Sequence, residues 1–357
     1  MPVQISVSSP LEQLLKKHVK SRGAEFPSRD GTYFAHYTSM KQRLADKYYS
    51  VTGAGLAQNG DRFTKHDIGH VDDVIETAGL MLGLGDDNSS QAYKLLKPYE
   101  VFVLLLAILL HDAGNAIRRQ GHEKKAAEIL REVSTATGLS DLEQRIISSI
   151  AQAHGGQMAD GNMDTITALM REPEPNIGKV KIHAWRIAAL VRFADELSEN
   201  NKRADEVALE NAETPDVSLL ANYYCQLINS KIDFVGKSVH LEFHVPVKLL
   251  PKVFRIPKSD GTTEDLLFID YIASRIEKCE RERRYCNRFL AGFASFDRIR
   301  AKLVIMDGNQ EIEILPVDLE EVGYPSLSKT VKQLEPRFDA CMLRDKHCKG
   351  VVQEKSQ

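Results

Sequence analysis

The sequence predicts a mainly α protein, in which a helical metal-binding bundle is followed by a smaller C-terminal α+β domain. One observation is a series of apolar helical stretches that each carry or end at a histidine or an aspartate. The other is a change, after about residue 215, from helical to alternating hydrophobic periodicity. The predicted parts are an N-terminal helical extension at 1–60, the metal-binding bundle at 61–214, an α+β accessory domain at 215–345 and a flexible tail at 346–357.

The most informative motif is the dipeptide His111-Asp112, which follows the apolar run Val101–Leu110. Neighbouring residues lie about 100° apart around a helix axis, so these two side chains cannot share one helix face. At the end of a helix, however, both can turn into the same cleft. Imidazole and carboxylate groups together are typical ligands of divalent transition metals.

Four further candidate ligands lie on separate predicted helices. His70 lies near the start of one helix, one turn before Val74 on the same face. His122 starts another helix, His154 follows the end of a third, and Asp195 follows the apolar stripe of a fourth. Each of these side chains is at the end or on the inward face of an apolar helix. A bundle that packs these helices together would therefore bring the side chains together.

The order of these residues resembles the HD superfamily of metal-dependent phosphohydrolases over roughly residues 60 to 205. The segment Gly121–Gly156 is most similar to the HD domain of ribonuclease Y. The resemblance implies divalent transition metals, with two ions expected and Mn, Fe, Ni, Co, Zn and Mg not distinguished. It implies one ion on His70, His111, Asp112 and Asp195, and a second on His122 and His154, with Asp112 as the bridge between them.

The resemblance also implies an enzyme that hydrolyses a nucleotide-like phosphate ester or phosphodiester by a metal-activated hydroxide. Asp112 would be the catalytic residue, because it would bridge the ions and hydrogen-bond the nucleophile. Three alternatives stay open. They are an HD-type nuclease on RNA or DNA, a ligand-sensing regulatory module with a structural metal site, and a metal-dependent oxygenase.

The chain departs from the family pattern at the residue that would supply positive charge to a phosphate. Many members carry a lysine where this chain has Asn115. A guanidinium can grip phosphate oxygens in a bidentate fork. The candidate phosphate-binding residues are Arg118, Arg119, Lys202 and Arg203, and further candidates for contact with the substrate are Lys65, His66 and Asp67. Glu123, beside His122, could orient a ligand imidazole or cap its helix.

Composition favours a soluble cytoplasmic enzyme with a small substrate. The net charge of −3 over 357 residues gives no general attraction to polyanions, so a small nucleotide-like ligand is favoured over nucleic acid, which stays possible. Five cysteines at no metal-finger spacing are typical of free thiols in a reducing compartment. The apolar run Val101–Leu110 is too short to cross a bilayer, so no membrane partner is expected.

The C-terminal pattern predicts two hairpins and a long helix. Alternating apolar residues predict a first hairpin around Gly236-Lys237, and a second hairpin pairs Lys302–Met306 with Glu311–Leu315. Between them, a helix from about Asp265 to Leu290 carries an apolar stripe that is expected to pack on the sheet, or on a second copy in a homodimer. The charge run Glu280 to Arg284 is expected on the solvated side of that helix.

Overall fold

The computed structural model describes residues 3–28, 31–52, 57–58, 61–62, 64–85, 92–135, 138–258, 260–321 and 329–348. Helix predominates over strand, so the mainly α prediction is confirmed. The helices are α1 (Pro10–Ser21), α2 (Tyr33–Leu44), α3 (Ser50–Thr52), α4 (Ile68–Met81), α5 (Pro98–His111), α6 (Ala126–Val133), α7 (Asp141–Gln152), α8 (Thr165–Leu169), α9 (Ala184–Leu197), α10 (Glu206–Glu210), α11 (Asp216–Leu227), α12 (Phe268–Leu290), α13 (Val331–Leu334) and α14 (Ala340–His347).

Helix α5 is the central element of the bundle. Every one of its 14 residues is buried, because α1, α2, α4, α6, α7 and α9 all pack around it. The helical segment Pro98–Ala116 is long and apolar enough to cross a membrane by length and composition, but 94% of it is buried inside the protein. From the sequence, a membrane span is not expected because the apolar run Val101–Leu110 is too short. The helical segment is long enough, and it is its burial that identifies it as a core helix.

The N-terminal helices pack on this bundle through a buried ion pair. Lys41 of α2 is fully buried and pairs with Glu12 of α1 at 2.7 Å and with Asp72 of α4 at 2.6 Å. A buried ammonium is tolerated only when such partners satisfy it. Lys41 therefore ties the N-terminal extension to the bundle.

The strands form one larger sheet and three two-stranded ribbons. The ribbons pair β1 (Ala57–Gln58) with β2 (Asp61–Arg62), β3 (Asn176–Ile177) with β4 (Val180–Lys181), and β7 (Val253–Pro257) with β8 (Thr263–Leu267). The larger sheet contains β5 (Ile228–Asp233), β6 (Ser238–Pro246), β9 (Arg298–Asp307) and β10 (Gln310–Glu320) in the order β10-β9-β6-β5. Both predicted hairpins are confirmed as antiparallel pairs, and β6 and β9 are parallel.

Helix α12 makes the crossover between the parallel strands β6 and β9, and its main neighbour differs from the expected one. It packs chiefly along α9 of the bundle and less extensively on the sheet. The charge run within it is only partly solvated: Arg281 is exposed, but Glu280 and Arg283 are buried. Arg283 is fully buried, pairs with Glu280 at 2.7 Å and donates to the Phe296 carbonyl at 2.7 Å. The prediction of a solvated side was wrong here, because two partners supplied by the fold compensate the buried charge.

The division into an extension, a bundle, an accessory domain and a tail stays a prediction, since one apolar core runs from Leu11 to Leu343. Of the predicted tail, Lys346 and His347 belong to α14 and pair with Glu313 at 2.7 and 2.6 Å. These two residues are helical rather than flexible, because Glu313 holds them against β10. Residues 349–357 lie outside the described residues.

Candidate metal centre

The structure brings the six predicted ligand side chains together in two groups that share Asp112. The four-residue group consists of His70, His111, Asp112 and Asp195, and the three-residue group consists of Asp112, His122 and His154. Within each group, the ligand atoms all lie within 4.8 Å of one another. Their assignment as metal ligands stays a prediction that the geometry supports.

Long helices position the four-residue group. His70 is in the first turn of α4, where the Asp67 carboxylate caps the helix by accepting from the His70 backbone N–H at 3.2 Å. His111 ends α5, Asp112 caps it, and Asp195 lies in the last turn of α9. Asp67, expected as a substrate contact, therefore acts as a helix cap.

The four-residue group surrounds a point between two carboxylates. Nε2 of His70 lies 3.6 Å from Asp112 Oδ2 and 3.2 Å from Asp195 Oδ1. Nε2 of His111 lies 3.5 Å from the same two oxygens. Both imidazoles are buried, so these ring nitrogens face the carboxylates rather than solvent.

The three-residue group lies on the other side of the same aspartate. Nε2 of His122 is 3.0 Å from Asp112 Oδ1, and Nε2 of His154 is 3.7 Å from that oxygen. The two imidazole nitrogens are 3.2 Å apart. Asp112 thus directs one oxygen toward each group, which is the geometry expected of a bridging ligand.

Close approach of the His122 segment depends on two glycines. A Cβ built on Gly114 would lie 2.1 Å from the carbonyl oxygen of His122, so any larger residue would push this segment away from Asp112. Gly121, directly before His122, has a φ of 72°, which L side chains rarely adopt. Both glycines therefore place His122 beside the His111-Asp112 dipeptide.

The hydrogen bonds of the imidazoles fit a pair of cations. Nδ1 of His111, His122 and His154 lies 2.7, 3.0 and 2.5 Å from the backbone carbonyls of Ile108, Arg119 and Ala151. A carbonyl only accepts, so Nδ1 carries the proton and Nε2 of each neutral ring presents a lone pair. Such hydrogen bonds from the second ring nitrogen are typical of metal-bound histidine. Nε2 of His111 and both nitrogens of His70 are buried without a hydrogen-bond partner among the described residues.

His122 and His154 give the same indication. Their neutral rings would place two acceptors 3.2 Å apart, an arrangement that needs a proton or a metal ion between them. Glu123, expected to orient His122, lies 3.6 Å from its Nδ1, farther than the Arg119 carbonyl that accepts from it. The residues present therefore fit divalent ions, and Glu123 is a secondary neighbour.

The shifted pKa values of the ligand side chains also favour positive charge between the imidazoles and the carboxylates. Burial opposes protonation of His111, but Asp112 and Asp195 outweigh it and raise the His111 pKa well above 6.5. Burial likewise opposes ionisation of Asp112, yet His111 and its other imidazole neighbours hold the Asp112 pKa well below its ordinary value. Burial lowers the pKa of His154 to about 4, with His111 as the next cause. Asp112 stays ionised and His154 stays neutral, which are the forms that bind metal.

The three-residue group borders an open cleft of about 250 Å³. The cleft is lined by His66, Asp112, Arg119, His122, His154, Gly155, Gly156, Asp195, Glu196, Glu199, Arg203, Arg275 and Lys278. Of the four predicted phosphate-binding residues, Arg119 and Arg203 line this cleft. Arg118 and Lys202 do not, so the cleft supports only the first two as phosphate-binding candidates. Lys202 is 73% exposed and pairs with Asp73 at 2.9 Å, while Arg118 is exposed.

His66 holds the two cleft arginines together. Its Nδ1 lies 2.5 Å from the Thr64 carbonyl, so its Nε2 accepts from Arg119 Nη1 at 3.1 Å and from Arg203 Nη2 at 3.0 Å. Asn115 Oδ1 accepts from the same Arg119 nitrogen at 3.1 Å. Asn115 thus positions a cation instead of supplying one.

Four charged residues of the cleft were not predicted from the sequence. Glu196 and Glu199 extend from the end of α9, and Arg275 and Lys278 come from α12. Burial opposes ionisation of Glu199, but Arg203 and Arg275 lower its pKa to about 2. The available signal was the spacing of Arg275 and Lys278, which lie one turn apart on one helix face. That spacing predicts a charged face and does not indicate which helix it meets.

Comparison with known proteins agrees with this geometry. The family model HD-CE matches residues 60–248, more than half of the chain, and this chain belongs to that family. The resemblance to the HD superfamily is therefore confirmed, and HD-type domains are generally hydrolases. No curated protein matches the chain. The matched residues include both ligand groups, Arg119 and Arg203, but end before α12.

Proposed function

We propose that this member of the HD-CE family is a metal-dependent phosphohydrolase or phosphodiesterase that acts on a nucleotide-like phosphate ester. The observation that carries the proposal is the placement of Asp112, whose two oxygens face two separate groups of imidazole lone pairs. A binuclear centre with this bridge, next to a cleft with two clustered arginines, suits hydrolysis of a phosphate ester.

Each residue of the cleft has a role that follows from its contacts. His70, His111, Asp112 and Asp195 would hold one divalent ion, and Asp112, His122 and His154 would hold the second. Bound divalent ions supply positive charge to phosphate oxygens and lower the pKa of the attacking water. Asp112 stays ionised beside that water and can accept a hydrogen bond from it, which orients the nucleophile.

Arg119 and Arg203 would bind the phosphate oxygens. Both guanidiniums donate to the same nitrogen of His66, so two positive charges are held side by side before the substrate arrives. Such preorganisation reduces the reorganisation needed to stabilise negative charge in the transition state. His66 and Asn115 act through these arginines and are positioning residues.

The paired arginines beside the ligand groups favour hydrolysis over the alternatives. A purely structural metal site has a closed ligand shell, whereas the three-residue group borders an open cleft. A metal-dependent oxygenase does not require paired arginines at its substrate cleft. The small cleft and the net charge of −3 favour a compact ligand over a long polyanion. An RNA or DNA end is the second candidate substrate.

A cytoplasmic location and a homodimer through the C-terminal domain are part of the same proposal. All five cysteines carry free thiols, which supports a reducing compartment.

The test of the proposed function is Asp112→Asn, which removes the bridging charge and keeps the side-chain size. We expect hydrolysis to fall by about 10³-fold or more, the upper end of the loss for one preorganised group. Helix content is expected to be unchanged, because the Asp112 side chain makes no cap hydrogen bond to α5 or the following turn. Chromatographic analysis of the products formed from nucleotides, cyclic dinucleotides and short oligonucleotides measures hydrolysis of both monoesters and diesters, and circular dichroism measures helix content.

The matched control is Asp160→Asn, which changes an exposed carboxylate in the loop after α7 and is expected to keep full activity. Activity of Asp112→Asn within severalfold of wild type would exclude Asp112 as the bridge. Absence of metal-dependent hydrolysis across the whole substrate panel would contradict the proposed function itself.

A further inference from the structure

Two cations of the cleft come from a helix outside the family-matched residues. Arg275 and Lys278 extend from α12, in the C-terminal part of the chain, and line the cleft together with Asp112 and His122. The residues from 60 to 248 alone therefore do not complete this cleft.

The cleft cations form a continuous series of contacts with two glutamates of the same cleft. Arg203, which shares His66 with Arg119, lies 3.1 Å from Glu199. Glu199 is 3.5 Å from Arg275. Glu196 then connects Arg275, at 3.8 Å, to the ammonium of Lys278, at 2.5 Å. The positive charges are thus spread along the cleft rather than gathered at one point.

The cations at the α12 end retain capacity to bind an anion. Lys278 is 44% exposed, and its ammonium has three donors, of which Glu196 accepts one. The contacts of Arg275 with Glu196 and Glu199 are long, and its Nε has no hydrogen-bond partner among the described residues. The packing of Arg275 on the Tyr224 ring, 5.0 Å from the ring centroid, fixes its position without using those donors.

The charge balance of the cleft also fits a ligand with several negative charges. Four carboxylates and four cations among the lining residues cancel one another. Two divalent ions would add four positive charges to this neutral lining. A single phosphate dianion at the metal centre would compensate about half of that charge, and a second, linked phosphate would compensate more of it.

We propose that Arg275 and Lys278 form an anion subsite for a second phosphate, so that the substrate carries at least two linked phosphates. A nucleoside diphosphate or triphosphate has this chemistry. The inference rests on the proposed function, because the reacting phosphate would bind at the metal centre while its neighbour binds at α12. The C-terminal part of the chain thereby selects the substrate of the bundle.

The test compares a probe with one phosphate and a probe with two. Orthophosphate and imidodiphosphate, a non-hydrolysable analogue of pyrophosphate, are titrated into the full-length metal-loaded protein at fixed free metal concentration. Calorimetry is expected to give wild type an affinity for imidodiphosphate at least tenfold above that for orthophosphate. Lys278→Gln is expected to weaken imidodiphosphate binding about tenfold, as loss of one charge-assisted hydrogen bond does, and orthophosphate binding less than twofold.

Two variants control for charge and folding. Lys278→Arg keeps the cation and should restore most of the preference. Arg281→Gln removes a positive charge from an exposed position of the same helix, outside the cleft lining, and should leave both affinities unchanged. Equal weakening of both probes by Lys278→Gln, or no weakening of either, would overturn the subsite, as would a wild type without preference.

The outcome separates the subsite from the proposed function. A preference for imidodiphosphate that depends on Lys278, in a protein without hydrolytic activity, would support the subsite and contradict the phosphohydrolase. Hydrolysis that Asp112→Asn abolishes, together with no effect of Lys278→Gln on either probe, would contradict the subsite alone.

Discussion

The two ligand groups that share Asp112 differ in how the fold holds them. In the four-residue group, His70 and His111 are on long packed helices and their side chains are fully buried. In the three-residue group, His122 belongs to a short 3₁₀ turn and is 18% exposed, and His154 follows the end of α7. Only the three-residue group faces the cleft with its imidazoles.

Because of this difference, we expect the four-residue group to retain its metal ion and the three-residue group to be accessible to substrate. A group with two buried imidazoles and two carboxylates is closer to a closed site, which keeps its ion, although Asp195 is 27% exposed and also lines the cleft. A group with one carboxylate at the cleft leaves coordination positions for water and substrate. We therefore expect the ion at the four-residue group to bind tightly and the ion at the three-residue group to exchange more readily.

The largest expected effect is on metal content. Loss of a residue that hydrogen-bonds a metal ligand lowers metal affinity roughly 10–100-fold. His111→Ala removes a ligand itself and should lower metal affinity at the four-residue group by more than that. The double variant His122→Ala with His154→Ala should lose one ion of two and keep the other. Elemental analysis of dialysed protein measures the ions per chain, and circular dichroism checks that the buried His111 site still folds.

Loss of both ions from the double variant would show that the two groups are one cooperative site. Retention of two ions by either variant would remove the mutated residues from the ligand set. Either result would contradict the proposed difference between a closed four-residue group and an open three-residue group.

A smaller change in metal affinity is expected when the pH is lowered. In each group, carboxylates outweigh burial and raise the pKa of one imidazole, His111 in one and His122 in the other. Burial keeps the pKa of the remaining imidazoles, His70 and His154, below 6.5. A proton therefore competes with each ion at a single histidine, and this competition begins above pH 6.5 because both pKa values are raised. Metal affinity should fall by about tenfold per pH unit as the pH falls below those raised pKa values.

Calorimetric titration of metal in buffers of different ionisation enthalpy counts the protons released. One proton per ion near pH 6 is the expected count. Two protons per ion would mean that His70 and His154 are also protonated, contrary to the effect of their burial.

The smallest expected effect is a change in KM, which should differ between cations that line the cleft and cations outside it. Arg119→Gln should raise KM by about tenfold or more, because a charge-assisted hydrogen bond to phosphate is lost. Lys202→Gln should change KM less than twofold, since Lys202 is exposed and paired with Asp73 outside the cleft. Steady-state kinetics on one substrate measures both, and equal effects would place Lys202 at the substrate after all.

Much of the candidate site could be predicted from the sequence, because each ligand is tied to a local pattern. His111-Asp112 ends an apolar helix, and His70 shares a helix face with apolar residues. Helix periodicity fixes which way such side chains point, and the bundle then brings inward-facing side chains together. The two hairpins followed from alternation and turn residues in the same way.

The partners of charged side chains could not be predicted in this way. Lys202 and Arg203 are adjacent in the sequence, yet one pairs with Asp73 at the surface and the other contacts His66 in the cleft. Arg283 lies in a run of charges but is fully buried, because Glu280 and the Phe296 carbonyl satisfy it. A long charged side chain reaches several surroundings, and sequence spacing does not choose among them.

The sequence by itself determined the helical bundle, the six candidate ligands and the order in which they occur, since these depend on periodicity within single helices. Only the tertiary structure decided that α12 packs along α9 and brings Arg275 and Lys278 to the cleft. An apolar stripe specifies that a helix face is buried but not which surface buries it. The location of the charges beside that stripe is therefore settled only when the whole chain packs.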